Sequence, residues 1–125
     1  MSEPSHERIA IVGMACVFPD APDLSSFWKN VMTAHDAIGE PPEAWDAHRY
    51  LDSGRIHTSA GGWLRDLFRF NPTEFGIMPN SIDGGEPDQF LALRVARDAL
   101  ADAGYLEDYD HRNTGIVLGH STYLH

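Results

Sequence analysis

Two short apolar runs set the terms for this chain. Ile9-Ala-Ile-Val12 ends at Gly13, and Thr114-Gly-Ile-Val-Leu-Gly119 lies far downstream. Neither run alternates apolar with polar residues. An alternating strand can leave one face in water, whereas a continuous run must be covered on both faces. That is the pattern of a strand inside a parallel sheet with helices above and below. For the first run a buried helix segment is the competing reading, but its four residues and the following Gly13 favour a strand. Helical patterns separate the two runs. The order strand, helix, irregular middle, long helix, strand predicts an α/β layer with a parallel sheet. Two strands are too few for a free-standing sheet of that kind, although 125 residues suit one ordinary domain.

The first helix is expected after Pro19-Asp-Ala-Pro22, with Asp23, Ser25 and Ser26 as candidate caps and Leu24, Phe27, Trp28, Val31 and Met32 at helical spacing. From Asp36 to Gly62 no period survives, and Pro41, Pro42 and Gly54 break any element. Trp45 and Tyr50 suggest that this stretch is pinned. Gly61-Gly62 reads as a turn, and Asn71-Pro72 can open a short helix. Asn80 to Gly85 and Glu107 to Asp110 read as loops, the second acidic and solvated. The strongest pattern is an amphipathic helix from Pro87 to Ala103, stopped at Gly104. An Arg94–Asp98 pair on it adds at most ~0.5 kcal/mol. Burial of Phe90, Leu93 and Leu100, at roughly 1.5–3 kcal/mol each, is expected to dominate. Residues 1–7 are polar and expected to be disordered.

Charge narrows the function. With 19 acidic and 9 basic side chains and a net charge of -10, the chain has no basic stripe to displace phosphate counterions. Nucleic acid and anionic membrane surfaces are therefore not expected partners. No signal peptide or membrane-length apolar run is present, and the single cysteine cannot close an internal disulfide. The expected compartment is the cytoplasm.

Candidate chemistry is sparse. Cys16 follows the first run, but no neighbour supplies a base, so it reads as a small buried hydrophobe. Ala15 and Phe18 stand where a dinucleotide loop needs its second and third glycines. His120 and His125 would be half of a zinc site with no cysteine partner in range, and read as surface or loop histidines. Asp83 with Glu86, and Glu107 with Asp108 and Asp110, lack an enclosing cleft in sequence terms. Trp28, Trp45 and Trp63 read as core anchors. No catalytic, cofactor-binding or metal-ligating residue is assigned.

The ordered motifs resemble the opening of the β-ketoacyl synthase (ketosynthase) domain of type I polyketide and fatty-acid synthases. The resemblance rests on the stretch Ile9 to Pro19, on Phe27-Trp28, Asp36-Ala-Ile38, Pro41-Pro42 with Trp45, and Gly61-Gly62-Trp-Leu64. It continues through Phe75-Gly-Ile77, Glu86-Pro-Asp-Gln89, Ala99 to Gly104, and Thr114 to Gly119. Glu86-Pro-Asp-Gln-Phe90 and Met78-Pro-Asn80 depart from the usual Asp-Pro-Gln-Gln-Arg and Ser-Pro-Arg, and Ser81 to Asp88 is closer to the polyunsaturated-fatty-acid or glycolipid synthase type.

The resemblance implies a partial thiolase-like fold and a family reaction, decarboxylative Claisen condensation of acyl and malonyl thioesters. It implies as partners the remainder of the domain, a second copy of the enzyme, and an acyl carrier protein bearing phosphopantetheine, with no cofactor bound by this chain. The family nucleophile and its two histidines have no counterpart here. Cys16 lies in the opening strand, and His120 and His125 match neither family histidine. The expectation is an N-terminal segment over residues 8–125, stopping before the catalytic cysteine and inactive alone. The alternative is a non-catalytic interaction module that pairs with another chain completing the fold. An acidic segment is also a poor docking surface for an acidic carrier protein, unless Arg49, Arg55, Arg65 and Arg69 converge.

Overall fold

The computed structural model describes residues 8–67, 69–107 and 109–120. The expected disorder of residues 1–7 lies outside them. Helix α1 covers Leu24–Met32. Of the candidate caps Asp23 takes the role, its Oδ1 accepting the Ser26 N–H at 2.8 Å and so satisfying one of the donors the first turn leaves free. The helix closes when the His35 N–H donates to the Asn30 carbonyl, with Ala34 at φ 51 in the left-handed position that glycine usually fills.

The irregular middle holds more order than its sequence suggests. Strand β1, Ile38–Gly39, pairs antiparallel with β2, Gly61–Gly62, in the register Ile38 to Gly62 and Gly39 to Gly61. Gly61-Gly62 is thus a strand and not a turn. A Cβ on Gly62 would stand 2.9 Å from Pro19 Cγ, so only glycine lets β2 lie against the Phe18–Ala21 turn. Between the strands, helix α2 covers Ala47–Asp52. Trp45 stacks on Tyr50 at 5.4 Å and meets Trp63 in a tilted contact at 4.8 Å between ring centroids, which pins the stretch as expected. The Asn71-Pro72 start is a single 3₁₀ turn, Pro72–Phe75, capped by the Asn71 side chain. A further 3₁₀ turn, Pro79–Ser81, falls where a loop was expected.

Helix α3, Pro87–Asp102, matches its sequence pattern to within a residue. Proline occupies the first turn, and Gly104 at φ 74 reverses the chain while the Tyr105 N–H reaches the Leu100 carbonyl.

The two expected strands are the main correction. Neither Ile9–Val12 nor Thr114–Gly119 belongs to a sheet. Ile9 is 95 % exposed and Val117 97 %. A strand of this type is stabilised by ladders on its edges and helices on its faces. Among the described residues no chain is placed to supply the ladders. The expected core is thin for the same reason. Only Ala21 and Ala47 are buried among the described residues, Leu93 is 43 % exposed, and Phe90 and Leu100 are half-buried. Trp28, expected as a core anchor, is 63 % exposed, whereas Trp45 and Trp63 are half-buried. The accessible surface is 10837 Å², against about 6,700 Å² for a compact monomer of this mass.

What does hold the first run is its contact with α3. A Cβ on Gly13 would lie 2.4 Å from the Ala99 carbonyl oxygen and 2.7 Å from Ala103 Cβ. The next residue, Met14, donates its N–H to Asp102 Oδ2 at 2.9 Å. Replacing Gly13 with alanine is expected to force the run off the helix. Overpacking against backbone costs about 1–3 kcal/mol, read as a lowered denaturation midpoint in an assembled domain that carries the substitution.

Candidate functional site

Several hollows border α3, and Cys16 and His120 line two of them. The first, about 340 Å³, holds Cys16 beside Met14, Asp23, Asp98 and Asp102. Partial burial pushes the Cys16 thiol up from its ordinary value, and the negative charge of Asp23 pushes it further in the same direction. Activation requires the opposite, a thiolate favoured by a base or a positive field. The thiol stays protonated at neutral pH. Its alkylation by iodoacetamide is expected to be slower than that of a free cysteine peptide at pH 7.5, with the rate rising only above the ordinary thiol range. A rate equal to the peptide's would contradict this environment.

The second hollow, about 550 Å³, is mainly apolar and lies between Val12–Gly13, α3 and the second run; Ala99, Leu100, Ile116 and Leu118 line it. The third, about 560 Å³, lies at the opposite end of α3 and is lined by Glu86, Asp88, Leu91, Leu118 and His120 among others. His120 Nε2 lies 3.1 Å from Asp88 Oδ2 and 3.9 Å from Glu86 Oε2. The sequence read His120 as a surface or loop histidine and missed both carboxylates, because nearly the whole of α3 and the loop after it separate them in the chain. His125 lies outside the described residues. No group of three or more histidine, cysteine or carboxylate side chains suited to a metal ion occurs among the described residues.

A fourth cluster was not foreseen. Arg97 Nη1 donates to Glu74 Oε2 at 2.6 Å, and its guanidinium stands 4.8 Å from the centre of the Phe75 ring. Arg94 Nη1 donates to the Leu67 carbonyl at 2.7 Å, while the expected contact with Asp98 is long, at 3.8 Å. Together they fasten the 3₁₀ turn and the preceding loop to α3. Arg69 joins Arg94 and Arg97 around a further hollow of about 250 Å³ beside this cluster. Arg65 is occupied elsewhere, donating to the Glu40 carbonyl at 2.9 Å. The cations here are matched by Glu74 and Asp98, so the cluster is a clasp more than an anion site.

The Arg97 hydrogen bond, with a second from Asn71, holds the Glu74 carboxyl below the usual carboxylate range. Because the folded-state value is depressed, the clasp contributes fully above the unfolded carboxylate value and weakens as pH falls through the lower folded one. An NMR titration following the Arg97 side chain and the Phe75 ring should show them released below the ordinary glutamate range. In Glu74→Gln that pH dependence should vanish.

Among the described residues no helix is long and apolar enough to cross a membrane. Comparison with known proteins agrees with the motif order. Residues 6–124 match the family model of the β-ketoacyl synthase N-terminal domain. Polyketide synthase PksN of Bacillus subtilis is 35 % identical over 120 residues, which cover 90 % of this chain and 2 % of that protein. Polyketide synthase ThaG of Burkholderia thailandensis is 33 % identical over 121 residues, or 91 % of this chain and 2 % of that protein. Among solved structures, the ketosynthase from module 6 of the Bacillus subtilis bacillaene synthase superposes with a TM-score of 0.68 at 32 % identity. The match covers 76 % of this chain and 17 % of that one. An oxazolomycin ketosynthase domain of Streptomyces albus gives 0.66 at 33 % identity, covering 74 % and 17 %. The chain thus spans a small part of each relative it matches. The partial thiolase-like α/β fold expected from the motifs is borne out by these superpositions.

Proposed function

The chain belongs to the β-ketoacyl synthase N-terminal domain family, and we propose that within it residues 8–125 serve as scaffold: an opening strand, its covering helix and a second strand of a ketosynthase sheet. The remainder of the domain carries the catalytic cysteine and both histidines. The reaction it would support is decarboxylative condensation of an acyl thioester with a malonyl extender on acyl carrier protein. In that reaction a thiolate takes the acyl group and so splits one acyl transfer into two easier ones.

The observation that carries the reading is the pair of exposed apolar runs. Ile9, Ile11, Ile116, Val117 and Leu118 are all exposed, yet their sequence is that of strands covered on both faces. They await neighbours that the relatives' longer chains have length to supply. The chemistry within the chain supports the same reading, since the only cysteine is set against ionisation. Carrier-protein docking is assigned to another part of the synthase. The net charge of -10 repels an acidic partner, and two of the four arginines that would have had to converge, Arg65 and Arg69, lie in different clusters.

The test is direct. Incubated with an acyl thioester, the isolated chain should show no covalent adduct by intact-mass spectrometry. Acylation of Cys16 with turnover would overturn the scaffold reading.

A further inference from the structure

Helix α3 grips the two apolar runs at its opposite ends, and each grip is a carboxylate. At its C-terminal end Asp102 Oδ2 accepts the Met14 N–H at 2.9 Å, next to the close approach of Gly13. At its N-terminal end Asp88 Oδ2 lies 3.1 Å from His120 Nε2, one residue past the second run. An ionised carboxylate only accepts, so Nε2 is the protonated nitrogen in this pair. Between the grips lies the apolar hollow of about 550 Å³. The residues Ile9–Val12 make no backbone hydrogen bond among the described residues, and in the second run only Thr114 does, to His111.

We infer that Asp102 and the Asp88–His120 pair are positioning residues that hold the two runs at a set separation along α3, so that strands from the remainder of the domain enter between edges already in place. The inference rests on the scaffold reading and adds to it a mechanism of assembly. Two loose segments would each have to be ordered at the moment of association, which weakens binding; segments fixed beforehand spare that cost. Asp88 and Asp102 thereby gain a role distinct from solvation of the helix ends.

The experiment titrates this chain against the remainder of its ketosynthase domain, expressed as a separate polypeptide, by calorimetry. Wild type should bind. Asp102→Ala and His120→Ala should each weaken binding by about 3- to 10-fold, the net worth of one hydrogen bond. Asp102→Asn keeps an acceptor for the Met14 N–H, and His120→Gln keeps a donor for Asp88; both should stay within about twofold of wild type on the same scale. Alanine variants that bind like wild type would overturn the positioning role and leave the scaffold reading intact. So would conservative variants that lose as much as alanine. A wild-type chain that does not bind at all would overturn the scaffold reading, and this inference with it.

Discussion

The close seat of Gly13 on α3 is the constraint from which the rest of the arrangement follows. With no side chain at that position, the backbone of the first run comes within reach of Ala99 and Ala103, and the Met14 N–H is delivered to Asp102. Alanines on the facing turn of α3 are the counterpart of the glycine: small on small brings backbone to backbone. From there the chain turns at Phe18–Ala21, where Pro19 meets Gly62, so the same segment also locates the β1–β2 pair. Two glycines far apart in sequence thus set two close approaches, and both lie on the path from the first run into α1.

Polar clasps, more than buried side chains, join the pieces. Arg94 and Arg97 bind the segment 67–75 to α3, Arg65 binds the Glu40 carbonyl beside β1, and His35 lies 3.1 Å from Asp20 at the end of α1. Exposed pairs of this kind are each worth little in water. Their effect here is directional. They fix which surfaces face which, while the apolar area that would provide most of the stability is still uncovered. The same geometry explains why Cys16, lying among carboxylates, is poorly placed to attack anything.

Legibility in the sequence followed the range of the interactions. Local rules located α1, its Asp23 cap, the Asn71-Pro72 turn and α3 with its Gly104 stop, because each depends on residues within one turn. The continuous apolar character of Ile9–Val12 and Thr114–Gly119 could be read from the sequence, but strand pairing is a property of neighbours, and among the described residues neither run pairs. β1 and β2 escaped notice because a two-residue pair containing three glycines carries no side-chain pattern. The Arg97–Glu74 and His120–Asp88 contacts join residues 23 and 32 positions apart, beyond any periodicity. The motif order succeeded where these rules stopped, since it reports the whole domain and not only this stretch of it.

The exposed runs also have a consequence in time. Ile9–Val12 precedes α3 by most of the chain, so during synthesis an apolar, uncharged segment emerges well before the helix that Gly13 meets. Its open edges pair readily with any other strand, including one on a neighbouring nascent chain. Contacts between residues distant in sequence also form slowly. The seat of Gly13 on α3 can form once residue 103 has left the ribosome. From that moment the end of the run is held against α3 and is no longer open to a competing strand.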